Sequence, residues 1–248
     1  MRKVAFYVQK GGTGKTTLSG NTAHVLARDR RTVLIDCDPQ GNLSSWFLKT
    51  TPAHELADVL TGKVTAAEAL VEISPRLSII PTFGIDGVLK QYAEGPLNDE
   101  PFIFEDLCKA LEGLGFQVAI FDLSPGMSRL ERSVLLAMDE TISPVEPEGF
   151  SIDGLSILTN ELRKINKNYR RNVAHRRIVC NNLNRSFARH LTFLSTLQGM
   201  DYQLFTVPQD AKIAEAQVHN LSVFDYFPES RAGAEIERLA AAVAGGAA

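Results

Sequence analysis

A chain of 248 residues, 44% of them hydrophobic, is long enough to bury a substantial core and suits one α/β domain or a small pair. The formal net charge of −3 excludes a global attraction to nucleic acid, so any DNA contact has to be a local patch. Cys37, Cys108 and Cys180 lie far apart, with no CxxC pair and no histidine at metal-ligand spacing, which fits a reducing compartment.

Taken in chain order, Met1-Arg2-Lys3 runs straight into an apolar stretch, leaving no room for a signal peptide. No apolar run approaches the ~20 residues that span a bilayer, so a cytoplasmic location is expected. Short apolar runs then alternate with helical periodicity. Strands are predicted at 3–8, 32–36, 77–80, 117–122, 140–145, 177–181 and 202–206. Helices are predicted at 16–29, 53–60, 65–72, 101–112, 128–138, 151–167, 186–197, 211–218 and 232–244. This alternation predicts an α/β fold: a mostly parallel, twisted sheet with helices on both faces, as a single domain over 1–248. Residues 92–101 read as a mobile loop and 245–248 as a frayed tail.

Three motifs fall at the carboxyl ends of predicted strands, where ligands sit in such sheets. The first is Lys10-Gly11-Gly12-Thr13-Gly14-Lys15-Thr16-Thr17, between the first strand and the first helix. Glycines there let backbone N–H groups face a phosphate, and the helix start adds the positive end of its dipole. Lys15 would reach the β- and γ-phosphates, and the Thr16 hydroxyl would hold Mg²⁺. The usual first glycine of a phosphate loop is replaced by Gln9. The second motif, Asp36-Cys37-Asp38-Pro39-Gln40-Gly41, brings two carboxylates on one strand face, one suited to the Mg²⁺ shell and one to orienting an attacking water. The third is the apolar run Val118–Phe121 ending in Asp122, a Walker B pattern whose carboxylate would accept from a Mg²⁺-bound water.

The sequence Lys10-Gly11-Gly12-x-Gly14-Lys15-Thr16 resembles the variant Walker A motif of the ParA/MinD superfamily, and most closely its ParA partition ATPases. The resemblance covers nearly the whole chain and is densest in residues 3–45. It implies ATP sandwiched in a homodimer, with Lys10 contacting the phosphates of the opposite subunit. It implies that Asp38 activates water and that Asp36 has a Mg²⁺-linked role. It places adenine contacts after the sixth predicted strand and at Val207-Pro208-Gln209-Asp210, so that Asn181 would meet the base edge and Pro208 its face, with Asp210 beside them. Ser143 to Ser151 resembles the family's P-x-x-P-E segment, with Ser151 as helix cap. Where the family reads D-x-P-P, this chain has Ser124, followed by Gly126, which predicts a looser switch II.

The resemblance also implies non-specific DNA binding through basic residues in the later half. Arg163, Lys164, Lys167, Arg170 and Arg171 form a run with Arg176 and Arg177 that contains no acidic residue. Lys212 and Arg231 align with the family's DNA contacts. The expected protein is therefore a nucleoid-associated ATPase that moves DNA or another cargo, with a ParB-like or other adaptor as partner. No DNA-reading extension is expected ahead of the P-loop. The alternatives are a MinD-like membrane-associated ATPase or a small-molecule kinase. The last helix, from Glu235 to Val243, is acidic-to-neutral and small, so no membrane partner is expected. Iron–sulfur relatives are set aside for want of paired cysteines, and tyrosine-kinase relatives for want of a tyrosine-rich tail.

Overall fold

The computed structural model describes residues 1–84, 87–147 and 151–245, without the side chains of residues 98, 99 and 151. The expected cap by Ser151, residues 148–150 of the P-E segment and the last three tail residues therefore lie outside the described residues.

The strands are β1 (Arg2–Phe6), β2 (Thr32–Cys37), β3 (Val71–Ser74), β4 (Leu77–Ile80), β5 (Val118–Leu123), β6 (Glu140–Val145), β7 (Ala174–Leu183) and β8 (Gln203–Pro208). Among the described residues they form one sheet in the order β3-β4-β2-β5-β1-β6-β7-β8. All pairings are parallel except β3 with β4, an antiparallel pair at one edge. The helices before β5 are α1 (Lys15–Leu26), α2 (Asn42–Phe47), α3 (Leu56–Leu60), α4 (Ala66–Ala69), α5 (Leu89–Glu94) and α6 (Ile103–Gly113). Those after it are α7 (Arg129–Ala137), α8 (Ser151–Tyr169), α9 (Ala188–Gln198), α10 (Ala211–Val218), α11 (Val223–Tyr226) and α12 (Arg231–Ala244).

The central strands carry apolar residues on both faces because both faces are covered. Alternation then assigns the faces. Ala5, Val33, Ile35, Ala119 and Phe121 point into a core with α3, α6, α7 and α8. Val4, Phe6, Leu34, Val118 and Ile120 point into the opposite core, with α1, α2 and α12. By the same period of two, Asp36 and Asp122 fall on the α1 face.

Three local expectations are corrected. The predicted helix 65–72 ends early: α4 stops at Ala69 and Val71–Ser74 becomes edge strand β3. Val71 and Ile73 are β-branched and alternate with polar neighbours, a pattern that suits a strand better than a helix turn. The 92–101 loop carries the end of α5 and a 3-10 turn at Pro96–Asp99, with Tyr92 and Leu97 buried as anchors. Helix α2 escaped prediction because six residues are too few for a 3.6-residue period to register.

Candidate nucleotide site

Strand β1 ends against β6, with the Tyr7 N–H donating to the Ile142 carbonyl at 3.0 Å, and the chain then turns back into α1. The turn passes through Gly14 at φ +88°, which only glycine adopts without strain. A Cβ on Gly14 would also stand 2.2 Å from Asn181 Nδ2. Helix α1 starts without any side chain capping it, so its first N–H groups face the loop and favour an anion. Lys15 is buried, and its ammonium donates to the Lys10 carbonyl at 2.8 Å. Burial lowers its pKa, against the pull of Asp122 and Asp38. Residues Gly11 to Thr17 open onto a cleft of about 670 Å³, completed by Asp38, Gln40, Asn42, Trp46, Pro125 and Gln217.

The three aspartates divide into different tasks. Asp38 lies at the cleft, accepts from the Gln40 N–H at 2.9 Å, and has its pKa raised by burial, with Gln40 and Lys15 acting the other way. Asp36 is wholly buried. One of its oxygens accepts from the Asp38 N–H at 3.2 Å, and the other accepts from the Ser44 N–H and hydroxyl at 2.8 and 2.7 Å. The Ser44 hydroxyl in turn accepts from the Thr82 N–H. The contacts of Asp36 thus hold the loop that presents Asp38. Asp122 pairs with Asp36 across the sheet. It receives hydrogen bonds from Ser19 at 3.2 Å and from Thr16. Burial above all, then the neighbouring carboxylate, pushes Asp122 up to about 8. Burial likewise pushes Asp36 up to about 7.

Among the described residues, no group of three or more histidines, cysteines or carboxylates converges as a metal cage. The residues present still fit Mg²⁺ bound together with phosphate. Asp122 Oδ2 is buried and makes no hydrogen bond, and Thr16 sits against the same carboxylate. Magnesium is commonly held by one or two protein oxygens, phosphates and water rather than by a full protein cage.

Switch II departs from the expectation of looseness. Ser124 Oγ donates to Glu131 at 2.5 Å and accepts from the Gly126 N–H at 3.3 Å. Glu131 is buried and also accepts from the Ser128 N–H and hydroxyl. The Tyr7 hydroxyl donates to the Gly126 carbonyl. The serine that replaces proline therefore tethers the segment to α7.

The other predicted residues scatter. Asn181 is buried and its amide donates to the Thr13 carbonyl at 3.1 Å, so it braces the phosphate loop. Pro208 lines a separate cleft of about 370 Å³ with Arg185, Gln209 and Arg231. Asp210 caps α10 through the Lys212 N–H and accepts from Ser230 Oγ at 2.8 Å, tying the starts of α10 and α12 together. Burial acts upward on Asp210, but these hydrogen bonds hold it below the usual carboxylate range. Lys212 and Arg231 thus open adjacent helices, with the Lys212 ammonium bonded to Glu215 at 2.6 Å.

Arg163, Lys164 and Lys167 stand exposed on α8, where Arg163 bonds Asn160 and Lys164 pairs with Glu161. Arg170 and Arg171 lie at the opposite end of the sheet, beside the amino ends of β1 and β6. Arg171 pairs with Glu105, and Arg177 is buried against Glu140. The basic run is free of acids in sequence, but acids from other elements meet it.

Sequence reading missed Trp46 and Gln217 in the cleft. Gln217 Nε2 donates to Thr17 Oγ1 at 3.1 Å, and the Trp46 indole N–H donates to the Leu221 carbonyl at 2.9 Å. Glu131, three residues after Ser128, was legible as a capping box.

Fold and loop together define a P-loop nucleotide-binding α/β protein. A family model described as an AAA domain, AAA_31, matches residues 1–175. The Borreliella burgdorferi protein BBD21, itself uncharacterised, is 42% identical over 245 residues, covering 96% of this chain and 98% of the relative. The Bacillus subtilis sporulation initiation inhibitor Soj is 28% identical over 257 residues, covering 94% of each. In fold, the chain is similar to an ATP complex of a Cyanothece McdA variant, with a TM-score of 0.85 at 16% identity, covering 99% of this chain and 96% of that one. This chain belongs to the ParA/MinD family of P-loop ATPases.

Proposed function

We propose that the protein is an ATP-dependent dimerising switch that hydrolyses ATP and, when ATP-bound, holds DNA without sequence preference to position DNA or another cargo. The observation that carries this reading is the loop itself. Lys10 and Lys15 flank three glycines, and the buried Lys15 ammonium rests on a backbone carbonyl, ready to be drawn onto a phosphate.

In this account the backbone N–H groups of the loop and of the start of α1 hold the phosphates, and Lys15 neutralises them from within the chain. Lys10 of a second copy neutralises them from across the dimer. Thr16, with Asp122 behind it, would hold Mg²⁺, which would supply neutralisation of phosphate charge. Asp38, positioned by Asp36 through its backbone N–H, orients the water. Turnover is slow until the dimer and a ParB-like or other adaptor complete the site.

A DNA surface built around Lys212 and Arg231, with Arg185 near Arg231, is supported by the shared origin of their two helices at Asp210. Membrane targeting through the last helix is disfavoured, because Ile236, Leu239, Ala240 and Val243 of α12 are buried in the core. Among the described residues no helix is long and apolar enough to cross a membrane.

The test is binding to a random-sequence duplex with ATP, ADP or no nucleotide. Binding promoted by ATP alone and lost at high salt is the expected result. Binding indifferent to nucleotide would refute the switch.

A further inference from the structure

At the amino ends of β1, β6 and β7, the end of the sheet opposite the P-loop, lies a second cleft of about 550 Å³. It is closed by α6 on one side and the α8–β7 turn on the other. Seven basic side chains line it against four carboxylates, a surplus of three positive charges in a protein whose net charge is −3.

The pairing inside the cleft is incomplete. Glu140, fully buried, takes both Arg2 and Arg177 on a single oxygen, each at 2.5 Å. Its other oxygen makes no hydrogen bond. The Nε–H groups of Arg2 and Arg171 are buried and make none either. Arg170 and Arg176 are exposed at the rim and have no ion-pair partner among the described residues. Arg170 also holds a left-handed backbone, φ +53°, directly after α8, where a helix normally ends in glycine. A strained, unpaired arginine aimed at a cleft with unused guanidinium donors is the pattern of a functional constraint.

We propose that this cleft is a binding site for a small phosphorylated ligand, distinct from the nucleotide site. Arginine forks suit phosphoryl oxygens bidentately. Part of the cationic surface is recessed, with only about a quarter of the Arg2 and Lys3 side chains exposed, so a compact anion reaches it more fully than a duplex does. The proposal does not depend on the identity of the P-loop ligand.

Inorganic pyrophosphate is the probe, measured by titration calorimetry on Lys15→Ala, which disables the P-loop as a competing site. One saturable site is expected, weakened at least about tenfold by adding Arg170→Gly or Arg176→Gln. Arg170→Gly removes the cation while relieving the left-handed strain, so loss of binding there is not loss of fold; an unchanged melting curve checks this. Trp46, at the other cleft, should stay silent during the titration. The proposal fails if Lys15→Ala shows no saturable binding, or if neither arginine variant weakens it. It also fails if a random duplex displaces pyrophosphate and its own binding is lost in Arg170→Gly, since the face would then be a nucleic-acid contact.

Discussion

Asn181 offers a direct contest between two roles. The resemblance expects it at the adenine edge, whereas its buried amide donates to the Thr13 carbonyl and packs against the bare face of Gly14. Asn181→Ala removes one hydrogen bond and leaves a loop carbonyl without its donor, a loss of about 1 kcal/mol. If that loss falls on the organisation of the phosphate loop, ATP and GTP affinities drop together by about fivefold. The melting temperature falls by only about 2–4 °C for a chain of this size. Trp46, the single tryptophan, lines the nucleotide cleft and supplies the fluorescence signal for both titrations. Equal losses for the two nucleotides support bracing. A selective loss for ATP would return Asn181 to the base and refute the reasoning.

Lys15→Ala should abolish nucleotide binding in the same fluorescence assay, because among the described residues no other cation lines the P-loop cleft. Ser124→Ala removes a hydrogen bond to the buried Glu131, costing about 1–3 kcal/mol. Hydrogen exchange should accelerate across 123–128, and unchanged protection there would show that the tether is idle. Asp36 and Asp122 have folded pKa values of about 7 and about 8, above their unfolded values, so the folded state retains protons that the unfolded chain has lost. Stability of the nucleotide-free protein should therefore fall as pH rises from about 4 to about 8 and level off above. Asp122→Asn should flatten that slope, raising the melting temperature over wild type at pH 8.5 more than at pH 5. An identical pH profile would contradict the buried-pair account.

The parts of the fold set by strong local physics were legible in sequence. β1, β2 and β5 each hold an apolar run because both their faces are covered, and their ends deliver the P-loop, Asp38 and Asp122. What escaped depended on partners distant in sequence. Trp46 and Gln217 reach the cleft only because α2 and α10 flank α1, and no period announces a six-residue helix. Asn181 and Asp210 were singled out by the family resemblance alone, because their contacts, Thr13 and Ser230, lie far away along the chain. The basic run misled for the same reason. Glu105 and Glu140 come from α6 and β6, and they divide a continuous stretch of charge into separate surfaces.

The claim that most needs testing is that two copies share one nucleotide site through Lys10. Light scattering on wild type, Lys10→Ala and Asp38→Ala, each with ATP, ADP or no nucleotide, tests it directly. The account predicts that ATP makes Asp38→Ala a persistent dimer, because it closes the site without hydrolysing. It predicts that Lys10→Ala binds ATP by Trp46 fluorescence yet stays monomeric. A Lys10→Ala protein that dimerises with ATP as readily as wild type would contradict it.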